Sequence, residues 1–199
     1  MSNLEVEVKF FVTDLADFRE RVLAAGGVIK KARVYERNVR FDTPDEALRH
    51  RLELLRLRQD TAVKVTFKGP AAEQATSEAK VREEFEIEVS DFDKTAVIFE
   101  RLGFAPMQVY EKYRETLQLD DVEVVLDEMP FGNFVELEGT EAGIKTAVST
   151  LSLDWSQRIL TNYLSLMAQM KAKHNLPFDD LTFANFEGMG LSVDSVLSE

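Results

Sequence analysis

The sequence predicts an α+β fold: an eight-stranded antiparallel β-barrel made of two pseudo-symmetric halves, with helices packed outside. Three observations predict it. Eight segments read as strands, several of them alternating polar and apolar residues with period two. The order strand, helix, then about three strands runs twice along the chain. Each strand carries one charged and one apolar face, so amphipathic helices can cover the apolar faces from outside.

The elements follow in order. Leu4, Val6, Val8 and Phe10 alternate with Glu5, Glu7 and Lys9, a strand. Asp14 caps a helix with apolar positions Leu15, Phe18, Val22 and Leu23, which Gly26-Gly27 ends. A strand spans Val34 to Asp42, and Thr43-Pro44 starts a short helix through Leu48. Leu52 to Gln59 and Ala62 to Lys68 are strands joined by a turn at Asp60-Thr61. Gly69 to Lys80 has no periodicity and reads as a mobile loop. Val81 to Val89 alternates again, and Asp91 caps a helix through Leu102, ended by Gly103. Strands follow at Val109 to Leu117, Val122 to Asp127 and Asn133 to Leu137. Asp154 starts a longer amphipathic helix to about Lys173.

The halves echo each other in detail. Glu7-Val8-Lys9-Phe10 before the Asp14 helix matches Glu84-Phe85-Glu86-Ile87 before the Asp91 helix. Tyr35 to Arg40 matches Tyr110 to Glu115. Residues 1–174 therefore form one domain, and the acidic stretch 175–199, broken by Pro177, Gly188 and Gly190, reads as a loosely attached tail. Phe178, Phe183 and Phe186 are apolar enough to dock on the barrel or on a second subunit.

Composition excludes several classes. The 199 residues carry 24 Lys+Arg against 36 Asp+Glu, a net charge of −12 that repels a phosphate backbone, so no nucleic-acid partner is expected. With no cysteine there is no disulfide, thiolate metal site or Cys nucleophile. His50 and His174 lie on expected helices without a carboxylate or second His at ligand spacing, and read as ordinary helical residues. No apolar run spans a membrane, and the acidic start Met1-Ser2-Asn3-Leu4-Glu5 is unlike a signal peptide, so the expected location is cytoplasmic.

The charges carry the chemical information. They come as like-signed sets two or four residues apart, hence on one face of a strand. Acidic sets are Glu5 with Glu7, Glu84 with Glu86 and Glu88, and Glu136 with Glu138; basic sets are Arg56 with Arg58, Lys64 with Lys68, and Lys112 with Arg114. Any one set alone reads as a solvated outer face. Together, with apolar reverse faces, they point inward, and a like-charged interior is tolerable only if it is wet and holds a ligand of matching charge. Clustered carboxylates suit Mg²⁺ or Mn²⁺, and clustered Lys and Arg suit phosphate oxygens. Both in one cavity point to a metal–polyphosphate complex.

These residues resemble the CYTH superfamily, the triphosphate tunnel metalloenzymes. Glu5-Val6-Glu7-Val8-Lys9 is similar to its ExExK signature. The later segments resemble it in order: Arg40 to Pro44, Leu55-Arg56-Leu57-Arg58, Lys64 to Pro70, Arg82 to Glu88, Lys112-Tyr113-Arg114, Leu126-Asp127 through Gly132 to Gly139, and Asn162-Tyr163-Leu164. The resemblance runs over roughly residues 3–170. It implies a tunnel through the barrel that binds a small-molecule triphosphate (ATP, inorganic triphosphate or thiamine triphosphate) with Mg²⁺ or Mn²⁺. It implies that Glu5, Glu7, Glu136 and Glu138 hold the metal with Asp127 beside them. Lys9, Arg56, Arg58, Lys64, Lys68, Lys112 and Arg114 would grip the phosphates. Glu84, Glu86 and Glu88 would orient the basic residues or help a second metal. Arg40 departs from the family, which often has Tyr there. The opening motif and the Asp127 to Gly139 segment look most like class IV adenylate cyclases; a triphosphatase and a non-catalytic polyphosphate-binding module are the alternatives. A metal-bound water, or Lys9 with a lowered pKa, is the expected proton acceptor. Trp155 and Tyr163 read as packing residues of the last helix, with Tyr163 able to close one tunnel mouth. A monomer and a homodimer are both compatible with the family.

Overall fold

A computed structural model of the chain describes residues 4–72 and 76–197. Its eight strands are β1 (Leu4–Val12), β2 (Val28–Asp42), β3 (Leu54–Gln59), β4 (Val63–Pro70), β5 (Lys80–Val89), β6 (Ala105–Leu119), β7 (Val122–Met129) and β8 (Gly132–Glu138). They run in the order β1-β5-β4-β3-β2-β6-β7-β8, and β8 pairs back onto β1, so the antiparallel sheet closes into a ring. Closure leaves no free edge.

The internal repeat is real in space. β1 pairs with β5 and β2 pairs with β6, so equivalent strands of the two halves lie side by side, as a two-fold relation requires. The helix after each first strand is built alike. Asp14 accepts from the Ala16 and Asp17 amides to cap α1 (Leu15–Ala24), and Asp91 accepts from the Lys94 amide to cap α3 (Phe92–Arg101). Gly26 and Gly103 end these helices at φ 96° and 94°, a conformation that glycine adopts without strain.

Helices α2 (Ala47–His50), α4 (Glu141–Thr150), α5 (Tyr163–His174), α6 (Phe183–Phe186) and α7 (Asp194–Leu197) complete the chain. The apolar core lies outside the ring, in three clusters. α1 and α4 cover Val8, Phe10, Val124 and Leu137 with Phe18, Val22, Ile144 and Val148. α3 lies on Val39, Phe41 and Leu57. α5 and the segment after it cover Phe131 and Phe134. The cover is incomplete on β5, whose outer Phe85 and Ile87 remain 46% and 63% exposed.

Several sequence expectations need correction. β2 starts at Val28 and β6 runs from Ala105 to Leu119, both longer than expected, because the start of β2 pairs with Arg114 to Gln118 and the start of β6 pairs with Arg40 to Asp42. A helix that the sequence reading missed, α4, occupies Glu141–Thr150. Thr140 caps it by accepting from the Gly143 amide, and Ile144, Ala147, Val148 and Leu151 form its buried stripe. The last helix starts at Tyr163, capped by Asn162, not at Asp154, which caps only a 3-10 turn at Trp155–Gln157. Trp155 is therefore not part of that helix.

The segment after His174 is not loosely attached. Leu176, Leu181, Phe186 and Val193 are buried with Met167 and Met170 of α5. The Leu181 amide donates to the Val109 carbonyl at 2.9 Å, and the Val193 amide donates to the Phe131 carbonyl at 2.8 Å. Its last two residues, 198–199, lie outside the described residues. So do 73–75, the middle of the expected loop; the ends of that loop are strand, Gly69 and Pro70 in β4 and Lys80 in β5. Among the described residues no helix is long and apolar enough to cross a membrane. His50 is exposed at the end of α2, and His174 ends α5 with Nε2 3.0 Å from Ser195 Oγ.

Candidate functional site

Period-two alternation sends every second strand residue into the ring, and there the inward residues are charged. They line one cavity of about 1250 Å³. Glu5, Glu7, Lys9, Arg56, Arg58, Lys64, Lys68, Lys112, Arg114, Glu136 and Glu138 all line it, contributed by β1, β3, β4, β6 and β8. Of the twelve expected phosphate- and metal-binding residues Asp127 alone does not, and of the acidic β5 set Glu84 and Glu86 line it but Glu88 does not.

The lining is a lattice of opposite charges. Lys9 Nζ is 2.9 Å from Glu136 Oε1, and Arg114 Nη2 is 2.6 Å from Glu136 Oε2. Lys68 Nζ is 2.6 Å from both oxygens of Glu5 and 3.2 Å from Glu84. Lys80, which the sequence reading did not single out, pairs with Glu7 at 2.5 Å. Glu86 accepts from Lys64 at 2.8 Å, Thr66 Oγ1 at 3.0 Å and Arg58 at 3.3 Å. The acidic strand β5 thus orients the basic residues of β3 and β4, one of its two expected roles, through Glu84 and Glu86. Arg40 is tied up at the cavity wall by Asp42 and Glu46, each at 2.9 Å.

Asp127 is fully buried behind this lining. It accepts from Lys112 Nζ at 3.0 Å, Arg114 Nε at 2.7 Å, Arg114 Nη2 at 2.5 Å and Tyr163 Oη at 2.9 Å. Four donors fill the roughly four lone-pair directions of a carboxylate. It therefore stands behind the phosphate-gripping candidates, and Arg114 Nη2, shared with Glu136, links it to one of the metal-binding ones. Tyr163 lines the cavity with a polar task as well as packing against Phe134.

The electrostatics separate the carboxylates. Burial and the neighbouring Glu5, Glu123 and Glu7 push Glu138 up to about 8. Burial, with Glu7 and Glu84, raises Glu5 to about 7 against the pull of Lys68. Burial would raise Glu7 too, but Lys80, Lys9 and Lys68 outweigh it and hold Glu7 at about 2. Glu136 is held well below its usual range by Lys9, Arg114 and Lys112, which overcome the cost of burial. The same pairing overturns one expectation. Burial would lower the Lys9 pKa, but Glu136 and Glu7 prevail and raise it, so Lys9 is a firmly held ammonium and not a ready proton acceptor.

The carboxylate donors suit a hard divalent cation, and Glu5 and Glu138 stay raised although Lys68 pulls on both. Among the described residues, however, no three such groups converge as a ready-made cage. Lys68 and Lys80 hold Glu5 and Glu7 in place of a cation. Arg56 Nε and Arg58 Nε, with Glu36 Oε2 and both amide atoms of Asn38, are buried without a hydrogen-bond partner. The sequence reading missed Glu36 and Asn38, although their spacing with Arg40 put them on the inward face of β2.

Comparison with known proteins agrees with this geometry. Residues 3–157 match the model of the CYTH domain. The chain is 32% identical over 137 residues to the protein named "Putative adenylate cyclase MJ0240" of Methanocaldococcus jannaschii, over 68% of this chain and 76% of that protein. The X-ray structure of a "putative adenylate cyclase" from Vibrio parahaemolyticus matches with a TM-score of 0.75 at 19% identity, over 84% of this chain and 99% of that one. A "putative adenylyl cyclase" from Hippeastrum, described as having a dominant triphosphatase activity, matches with a TM-score of 0.57 at 15% identity, over 83% and 96%. The two structural matches speak for the fold, whereas the family model and the 32% identical relative speak for common descent. The chain belongs to the CYTH domain family.

Proposed function

We propose that this protein is an enzyme that binds a small-molecule triphosphate in its tunnel, with Mg²⁺ or Mn²⁺, and acts on its phosphorus–oxygen bonds. The observation that carries this reading is the single cavity of about 1250 Å³ into which seven expected phosphate-binding cations and four expected metal-binding carboxylates all face. Phosphoryl chemistry needs positioning and charge neutralisation more than covalent help from the protein. Lys9, Arg56, Arg58, Lys64, Lys68, Lys112 and Arg114 bind the phosphate chain. Glu5, Glu7, Glu136 and Glu138 hold the cation, which when bound neutralises and polarises the phosphates.

The first reading of the reaction is adenylate cyclase-like, conversion of ATP to cyclic AMP and pyrophosphate. It rests on the 32% identical relative of that name. A second reading, hydrolysis of a triphosphate, rests on the Hippeastrum neighbour described as having a dominant triphosphatase activity. The test is ³¹P NMR of all products from ATP, inorganic triphosphate and thiamine triphosphate with Mg²⁺ or Mn²⁺, and Glu7→Gln as control. Cyclic AMP with pyrophosphate establishes the cyclase. Orthophosphate with a diphosphate establishes the hydrolase. Binding without turnover reduces the chain to a triphosphate-binding module.

A further inference from the structure

We propose that Tyr163 and Asp127 are positioning residues, which through one hydrogen bond set how Lys112 and Arg114 are held for triphosphate. This rests on the triphosphate reading above. Asp127 is the shared partner of two tunnel cations, Lys112 at 3.0 Å and Arg114 at 2.7 and 2.5 Å. Its remaining donor is the Tyr163 hydroxyl at 2.9 Å. The Tyr163 ring carries a third cation, with Lys9 Nζ 4.2 Å from its centroid. One phenol therefore touches, directly or through one carboxylate, three cations of the phosphate site.

Removing the phenol's hydrogen bond leaves a lone-pair direction of a fully buried carboxylate empty. The cheapest repair is for Lys112 or Arg114 to swing further onto Asp127, away from the lumen. The donor thus sets how much of each cation's hydrogen-bonding capacity remains for a ligand. Tyr163 is the first residue of α5, beyond the residues 3–157 that match the family model. α5 is held down by the segment that follows it, through Leu176, Leu181 and Val193 packed against Met167 and Met170. The packing holds α5 in place, and Tyr163 is the residue of it that meets Asp127 and Lys9.

The test is calorimetric binding of inorganic triphosphate to wild type, Tyr163→Phe and Met170→Ala. Met170 is a fully buried core residue of α5 outside the cavity. Tyr163→Phe is expected to weaken binding roughly tenfold, the scale of a hydrogen bond to a charged group. Met170→Ala is expected to lower the melting temperature more than Tyr163→Phe and yet bind like wild type below its transition. The Nε–H resonance of Arg114 gives a second readout, expected to shift in Tyr163→Phe and not in Met170→Ala. Wild-type affinity in Tyr163→Phe, or an equal loss in both variants, overturns the positioning role. No binding of inorganic triphosphate to wild type overturns the triphosphate reading itself.

Discussion

Lys68 Nζ sits 2.6 Å from both oxygens of Glu5, so an expected phosphate-gripping cation and an expected metal-binding carboxylate neutralise each other across the tunnel. The pair must open before either does its task. Lys68→Met is therefore expected to strengthen Mn²⁺ binding in the absence of triphosphate by about an order of magnitude, since a competing positive charge is gone. It is expected to weaken triphosphate binding at the same time. Calorimetric titration of each ligand alone, at a pH well above 7 so that Glu5 is ionised, checks both signs; weaker Mn²⁺ binding in Lys68→Met would contradict the competition between Lys68 and the cation.

The raised carboxyls make stability depend on pH. Glu138 at about 8 and Glu5 at about 7 hold protons that they would release when unfolded. Their contribution is full below the unfolded value near 4.5 and is lost as pH rises through 7 to 8. Melting in EDTA is expected to fall between pH 6 and 9, by the equivalent of a few kcal/mol at most. Mn²⁺ is expected to reverse the fall and Glu138→Gln to flatten it. Glu7, held at about 2, acts oppositely: its contribution is present above 4.5 and lost in acid as pH falls toward 2. A melting temperature flat from pH 6 to 9 would contradict the carboxylate crowding.

Docking of the C-terminal segment has a measurable energy. Leu181 is fully buried and bridges to β6. Leu181→Ala is expected to cost about 2–5 kcal/mol in urea unfolding, the range for emptying a buried leucine site. A cost below about 0.5 kcal/mol, typical of surface changes, would mean that the segment is loose in solution.

The turn into β8 is equally specific. Gly132 has φ 149°, and a Cβ there would approach Phe11 Cε2 to 2.8 Å and Val193 Cγ1 to 3.3 Å. Gly132→Ala is expected to destabilise by about 1–3 kcal/mol from backbone strain and crowding. The same unfolding experiment reads it, and an unchanged midpoint would argue against this close approach.

Most strand positions were legible in sequence because one face had to be apolar and the other charged. Where both faces are polar or exposed, as in the early part of β2, nothing local marks a strand, and only pairing with β6 makes one. α4 was missed because Gly143 and the Ser/Thr-rich end of its run obscure a buried stripe at helical spacing. The start of α5 was misplaced because Asp154 and Asn162 are both competent caps, and which one heads a long helix is settled by packing on Phe134.

The sequence by itself determined most of the strands, their internal repeat and the inward charge, because strand periodicity assigns each side chain to a face. Eleven of the twelve expected site residues share the cavity for that reason. Which charges pair, and with what consequence for protons, was decided by the tertiary structure. Asp127 obeys the same motif as its neighbours, yet register sets it against Arg114 and α5 brings Tyr163 onto it, so it is buried as an anchor. Lys9 reads as a base by position, yet Glu136 across the β1–β8 ladder holds its proton. Periodicity fixes the face that a residue occupies; its partners across strands come from register and closure, which no local pattern encodes.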